Sequence, residues 1–200
     1  MFNKNIIWII ILILMVFSPI TAAEKYVSDT AHSSISFTIN HMVVSKVRGD
    51  FTDFNVEMMY DEKEITKSSV MVTIKTASID TRNEKRDEHL KTADFFDVEK
   101  YPQMTFKSTG FKKEGDKQAL VGMLTMHGVS KEVVIPFNIL GKVKDPWGGE
   151  RLGIEGFTIL NRKDFGLDWN KTLDKGGLVL GEQVTVEILL EMTAVKDSKE

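Results

Sequence analysis

The chain has 200 residues, 42% hydrophobic and 28% charged, with a formal net charge of −3 and no cysteine. These values fit one domain of ordinary size with a full core, and exclude a disordered or multi-span membrane chain. The absence of a basic excess argues against a nucleic-acid partner, and the absence of cysteine excludes disulfides, thiolate metal sites and a cysteine nucleophile.

The first element is a leader. Met1 to Asn5 carries one lysine, Lys4; Ile6 to Phe17 is an uninterrupted apolar run; Ser18-Pro19 breaks it, and Thr21-Ala22-Ala23 follows. A positive flank, an apolar stretch and a small-residue exit are the parts of a secretory signal peptide. The apolar run is short of the roughly 20 residues that a spanning helix needs, and no cysteine follows it to carry a lipoprotein anchor. The expectation is a signal peptide over residues 1–23, cleaved after Ala23, and an exported domain over residues 24–200 with no stable membrane span.

From Tyr26 onward the period is two. Ile35, Phe37 and Ile39 alternate with serine and threonine, and Val70, Val72 and Ile74 repeat the pattern. Met104 and Phe106 follow, then Val133, Ile135, Phe137 and Ile139, and finally Val184, Val186, Ile188, Leu190 and Met192. Such alternation puts one face on a core and the other in water, and the residue types are those that strands prefer. Turn chemistry separates the runs at Lys113-Glu114-Gly115-Asp116, His127-Gly128-Val129-Ser130 and Asp145-Pro146-Trp147-Gly148-Gly149. Successive strands joined by short turns predict an all-β, up-and-down antiparallel sheet, which loses its exposed edges by closing on itself.

One segment departs from this period. Thr81 and Glu84 have capping-box spacing, so a helix is expected to start there and to end near Thr92, with Asp87 and Lys91 as an i,i+4 pair. A second short turn over Ala93 to Val98 must stop before Tyr101-Pro102, because a residue preceding proline avoids the helical region.

Three sets of residues are candidates for function. Phe37, Phe51, Phe54, Phe106, Phe137 and Phe157 lie in strand-like runs; they either fill the core or line a ligand chamber, and a barrel of about eight strands permits both. Arg86, Asp87 and His89 cluster on the predicted helix, either as a headgroup site or as a solvated face. Asn161, Arg162 and Asp164 end a strand, either as a rim site or as a capped turn. His32, His41, His89 and His127 show no HxH, HxxxH or HExxH spacing, so no metal site is expected. Neither a nucleophile elbow nor a phosphate-binding glycine loop is present.

Taken in order, several longer motifs resemble the YceI-like family. The opening is Asp29-Thr30-Ala31-His32-Ser33-Ser34-Ile35-Ser36-Phe37-Thr38-Ile39-Asn40-His41, followed by Gly49, Phe51 and Phe54. The middle is Ile79-Asp80-Thr81, then Arg86-Asp87-Glu88-His89-Leu90 and Asp94-Phe95-Phe96-Asp97-Val98-Glu99-Lys100-Tyr101-Pro102. Gly122 to Lys131, Asn161-Arg162-Lys163-Asp164-Phe165-Gly166 and Gly181-Glu182-Gln183-Val184-Thr185-Val186 complete the series. The resemblance covers about Tyr26 to Val195. It implies an eight-stranded, lipocalin-like barrel with a short helical insertion over about residues 81–98, in the bacterial periplasm. The GxW motif of true lipocalins is absent, so the likeness to them is architectural.

The resemblance further implies a binding protein rather than an enzyme, holding a polyisoprenoid, polyprenyl phosphate or isoprenoid quinone as ligand, with no cofactor. The alternating faces then supply the lining: Ile35, Phe37, Ile39, Phe51, Phe54, Val70, Val72, Ile74, Met104, Phe106, Ile135, Phe137, Phe157, Val186 and Ile188. Arg86, Asp87, His89, Asn161, Arg162 and Asp164 are the headgroup candidates. Two alternatives stand beside this one: an enzyme on the same lipid with Asp87 and His89 as acid and base, and a structural protein with a filled barrel. A homodimer through one face of the sheet is also expected, twofold dimers being the commonest oligomer.

Overall fold

The computed structural model describes residues 23–42, 44–115, 117–173 and 177–195. The expected signal peptide, apart from Ala23, and Asp116 of the first predicted hairpin lie outside the described residues. Eleven strand segments form one antiparallel sheet: β1 (Glu24–Ser28), β2 (Ser34–His41), β3 (Ser45–Phe51), β4 (Phe54–Tyr60), β5 (Ser69–Lys75), β6 (Ile79–Asp80), β7 (Gln103–Glu114), β8 (Lys117–Met126), β9 (Val129–Lys144), β10 (Glu150–Asn161) and β11 (Leu180–Ala194).

These segments are eight staves, because three staves are broken. β11 pairs with β1 through Thr193 and with β2 through Val186. β4 pairs with β1 while β3 pairs with β2, and β5 and β6 pair with β4 and β3 in turn. β5 then leads through β7, β8, β9 and β10 to β11 in strict succession. The pairing of β11 with β1 and β2 closes the ring, giving a closed eight-stranded antiparallel barrel.

Each break resets the alternation. Phe51 ends β3 and Phe54 begins β4, three residues apart, yet both are buried. In a continuous strand one of them would face water; the two-residue break at Thr52-Asp53 restores both to the interior. Ile74 and Ile79 show the same slip across the 3-10 turn Thr76–Ser78. A third slip is a bulge in β9: Ile139 pairs with Ile154, but Gly141 with Gly153, and the unpaired Leu140 is turned outward, 62% exposed.

The helix forms where expected, as α1 (Glu84–Lys91) with its C-cap at Thr92. Its start differs from expectation. Asn83 is the N-cap, its side chain accepting from the Arg86 N–H, while Thr81 is buried and bonded to Arg86 and Asp87. Lys91 pairs with Glu88 at 2.9 Å rather than with Asp87. Beyond α1 the chain turns back, with the Phe96 N–H on the Leu90 carbonyl and the Val98 N–H on that of Lys91.

Two clusters make the core. One, built on Tyr26, Tyr60, Leu152 and Met192, closes the end where β1 begins. The other, built on Phe51, Ile79, Met104, Met126, Phe165 and Leu167, lies at the opposite end, below α1.

Candidate functional site

Between the two clusters the barrel is hollow. An apolar chamber of about 170 Å³ runs among the inward faces of all the staves. Ile35, Phe37, Phe51, Val70, Val72, Ile74, Met104, Phe106, Ile135, Phe137, Val186 and Ile188, all expected from the alternation, line it. Its only hydroxyl-bearing residues are Ser36 and Thr158. Thr158 Oγ1 donates to the Val134 carbonyl at 3.1 Å, and Ser36 Oγ accepts from Arg48 at 3.3 Å, so both polar groups have partners in the wall.

A second cavity, of about 460 Å³, lies under α1. Phe37, Phe51, Met126, Leu160 and Val186 line both cavities, so the apolar wall runs without interruption from chamber to mouth. Ile39, expected in the chamber, stands in the mouth instead. Its volume lies in the usual range for small-molecule pockets, about 300–1,000 Å³. A barrel filled by its own side chains does not fit this interior.

Two of the expected lining residues lie elsewhere. Phe54 is buried in the core cluster with Val56 and Met58 and is not part of the chamber lining. Phe157 is on the outer surface, 48% exposed. On β10 the inward residues are Leu152, Ile154, Gly156, Thr158 and Leu160, which leaves Phe157 and Ile159 facing out. The aromatic side chain suggested burial, but the period-two phase, set by Ile154 and Leu160, decides against it. Val56, Met58, Phe111, Leu120, Met126, Leu190 and Met192 also line the chamber. Their alternation was readable; the slip between Ser108 and Gly110, which turns Phe111 inward, was not.

The headgroup candidates fall into different places. Arg86 Nε and Nη2 donate to Oγ1 and the carbonyl of Thr81, both at 2.7 Å. Asp87 accepts from the Thr81 N–H at 2.9 Å and from its hydroxyl at 2.5 Å. Thr81 is thus the anchor that fixes α1 to the barrel, and Arg86 lines the mouth while Asp87 faces its anchor. His89 also lines the mouth, with Nε2 2.9 Å from Asp94. Its ring stands edge-on to Phe95 and Trp169, with centroids at 5.1 and 5.2 Å. Asp87 and His89, the acid and base of the alternative enzyme reading, have separate partners and share no hydrogen bond among the described residues.

Asn161 caps the 3-10 turn Arg162–Phe165, its Oδ1 accepting from the Lys163 N–H at 3.0 Å. Gly166, at φ 74°, closes that turn, in the left-handed region that favours glycine. Asp164 points away and pairs with Lys131 at 3.2 Å. Arg162 is the residue that the turn delivers inward: it is buried and lines the mouth. Burial holds its guanidinium below the ordinary arginine value. His41, Asn83, Lys85 and Trp169, none of them among the headgroup candidates, complete the polar wall.

One group elsewhere has metal-ligand chemistry. Asp29, His32 and Glu191 hold ligand atoms within 4.8 Å of one another. Arg151 Nη1 already lies between the carboxylates, 2.8 Å from Asp29 and 3.0 Å from Glu191, so a cation of the protein's own neutralises them. Among the described residues no helix is long and apolar enough to cross a membrane.

Fold and site together define a class of protein: a closed antiparallel barrel whose apolar chamber opens through a cation-bearing mouth. A family model described as a YceI-like domain matches residues 26–192, and the chain belongs to that family. It is 41% identical to Protein YceI of Salmonella newport over 159 residues, 80% of this chain and 81% of that one. Among solved structures it is similar to the Campylobacter jejuni YceI protein, with 32% identity, a TM-score of 0.67, and coverage of 80% of this chain and 91% of that one. It also matches a polyisoprenoid binding domain from Saccharophagus degradans, at 15% identity and a TM-score of 0.63 over 85% and 98% of the two chains; at that identity the likeness speaks for the fold.

Proposed function

We propose that this protein is an exported carrier for a long apolar lipid of the isoprenoid class, with the tail in the chamber and the headgroup at the mouth, and that it performs no chemistry on the lipid. The observation that carries this reading is the continuous apolar wall from chamber to mouth. The polyisoprenoid-binding relative and the family membership support it.

Each methylene moved from water into such a chamber contributes about 0.8 kcal/mol, against several kcal/mol for ordering a flexible tail. A chain of isoprene units therefore binds through length, and an apolar wall distinguishes poorly between chains that differ by one unit. The chamber is close in size to an engineered cavity of about 150 Å³ that takes up benzene, so a full tail requires it to widen. Met58, Met104, Met126 and Met192 line it. Methionine is unbranched and changes rotamer readily, so these four side chains supply the adaptable volume.

The N-terminal run supports export by a cleaved signal peptide into the periplasm, where a carrier would hold apolar cargo away from water. The test is native mass spectrometry of the protein expressed with its leader and purified from a bacterial periplasm without detergent, followed by lipid extraction. The expected result is a mass beginning at Glu24 with near one isoprenoid lipid or quinone per chain. An unliganded mass that also refuses an added polyprenol would overturn the carrier reading.

A further inference from the structure

Arg162 is only 3% exposed. Its Nε and Nη1 donate to the carbonyls of Gly181 and Leu167, while Nη2 is buried with no hydrogen-bond partner. Among the described residues no carboxylate forms a salt bridge with it. Asp168 and Glu182 act on it only through their field, and Glu182 is itself bonded to Lys163 at 2.6 Å. A buried cation with an unused donor bears a desolvation cost that two carbonyl bonds and the field of Asp168 and Glu182 offset only in part.

The rest of the mouth repeats that imbalance. Arg86 directs two of its nitrogens to Thr81 and keeps the third, and Lys85 forms no ion pair among the described residues. The mouth has these three cations and no aspartate or glutamate in its wall. Asp94, behind His89, and Asp87, behind Thr81, are held by those partners. The chamber beyond contains no charged residue. The site is therefore apolar at depth and positive at its entrance.

We propose that the mouth selects an anionic headgroup of the phosphate type on the apolar tail, in preference to a neutral quinone ring or an alcohol. This rests on the carrier reading above and narrows its ligand class. A phosphate offers acceptor oxygens to the free guanidinium nitrogen of Arg162 and, from the helix side, to Lys85 and Arg86. Charge-assisted bonds of this kind are roughly twice as strong as neutral ones. A quinone carbonyl would satisfy one donor but leave the cations uncompensated.

The experiment uses three probes with one tail: geranylgeranyl monophosphate, geranylgeraniol, and a menaquinone bearing the geranylgeranyl chain. Each is titrated into the delipidated protein, with inorganic phosphate as a fourth ligand. The expected result is that the monophosphate binds at least about tenfold tighter than the alcohol or the quinone, that added salt narrows the preference, and that inorganic phosphate alone binds far more weakly. The ratio of phosphate to alcohol affinity should fall in Arg162→Gln. Should that variant not fold, the double variant Lys85→Ala, Arg86→Gln gives the same test from the exposed helix. Equal affinity for all three tailed probes would overturn the proposal and leave the carrier reading intact. Failure of all three would overturn the carrier reading itself, and inorganic phosphate binding as tightly as the tailed probe would make the mouth a free-anion site.

Discussion

The two ends of the barrel use charge in opposite ways. At the closed end, the buried Tyr26 hydroxyl donates to Glu150 at 2.5 Å and lies 3.1 Å from Glu24. Lys142 reaches Glu150, Glu62 and Glu24 at 2.7, 3.0 and 3.3 Å. Burial, together with its bonds to Glu150 and Glu24, raises the Tyr26 pKa and keeps the phenol protonated as a donor. Burial works against the Lys142 ammonium, but its bonds to Glu150 and Glu62 outweigh that and hold it charged. The lysine and the phenol are fully engaged there. At the mouth, Arg162 keeps an idle donor and no carboxylate lines the wall. A satisfied network seals one end, and an unsatisfied set of cations is left at the other. Polar residues are abundant at both ends, so the difference lies in whether the chain itself supplies their partners.

The comparison can be broken at several points. The largest effect on binding is expected from blocking the chamber. Gly156 lines it, and a Cβ there meets Ile135 Cγ2 at 3.4 Å, an ordinary contact. Gly156→Leu should lower the affinity for a long apolar probe at least about tenfold while costing about 1–3 kcal/mol in stability; fluorescence titration and thermal melting read the two. Truncation at the closed end should do the reverse. Leu152 is fully buried there, and Leu152→Ala should cost about 2–5 kcal/mol in urea unfolding with little change in which probes bind.

Lys142→Met tests the seal itself. It leaves Glu24, Glu62 and Glu150 facing one another around Tyr26, and should destabilise by about 1–3 kcal/mol, the side chain being partly solvated. It also carries a pH signature. Bonds from Lys142 and Tyr26 hold Glu150 below its ordinary value. The stability this carboxylate contributes is present above the unfolded glutamate pKa, about 4.3, and is lost as the pH falls through the depressed folded value. Unfolding followed by circular dichroism between neutral and strongly acidic pH should show that loss in the parent and a smaller one in Lys142→Met. The smallest effect belongs to the mouth: Asn83→Ala removes the α1 cap and should cost about 1 kcal/mol, readable as faster amide exchange in α1 with the closed end unchanged.

The barrel was largely legible because its signal is local. Alternation in Val184 to Met192 or Val133 to Ile139 records which face each residue takes, and those residues do face inward. Legibility failed where the phase slips. Nothing local announces that Thr52-Asp53 lets Phe51 and Phe54 share one side, or that Phe157, an aromatic in a strand, falls on the outward phase. The candidate mouth was half legible. Arg86, His89 and Arg162 line it, whereas Asp87, Asn161 and Asp164 from the same motifs serve as an anchor, a cap and a surface ion pair.

Composition and periodicity by themselves determined the all-β class, the antiparallel succession of strands and the helix that interrupts them, because each depends on the spacing of neighbours along the chain. Only the tertiary structure decided that the interior is hollow, that the chamber joins the mouth, and that Arg162 reaches it without a counter-ion. Those facts depend on the diameter of a closed ring and on which distant side chains meet. Glu24 and Lys142 become neighbours only when the last strand pairs with the first, and Arg162 reaches Gly181 only where β10 pairs with β11.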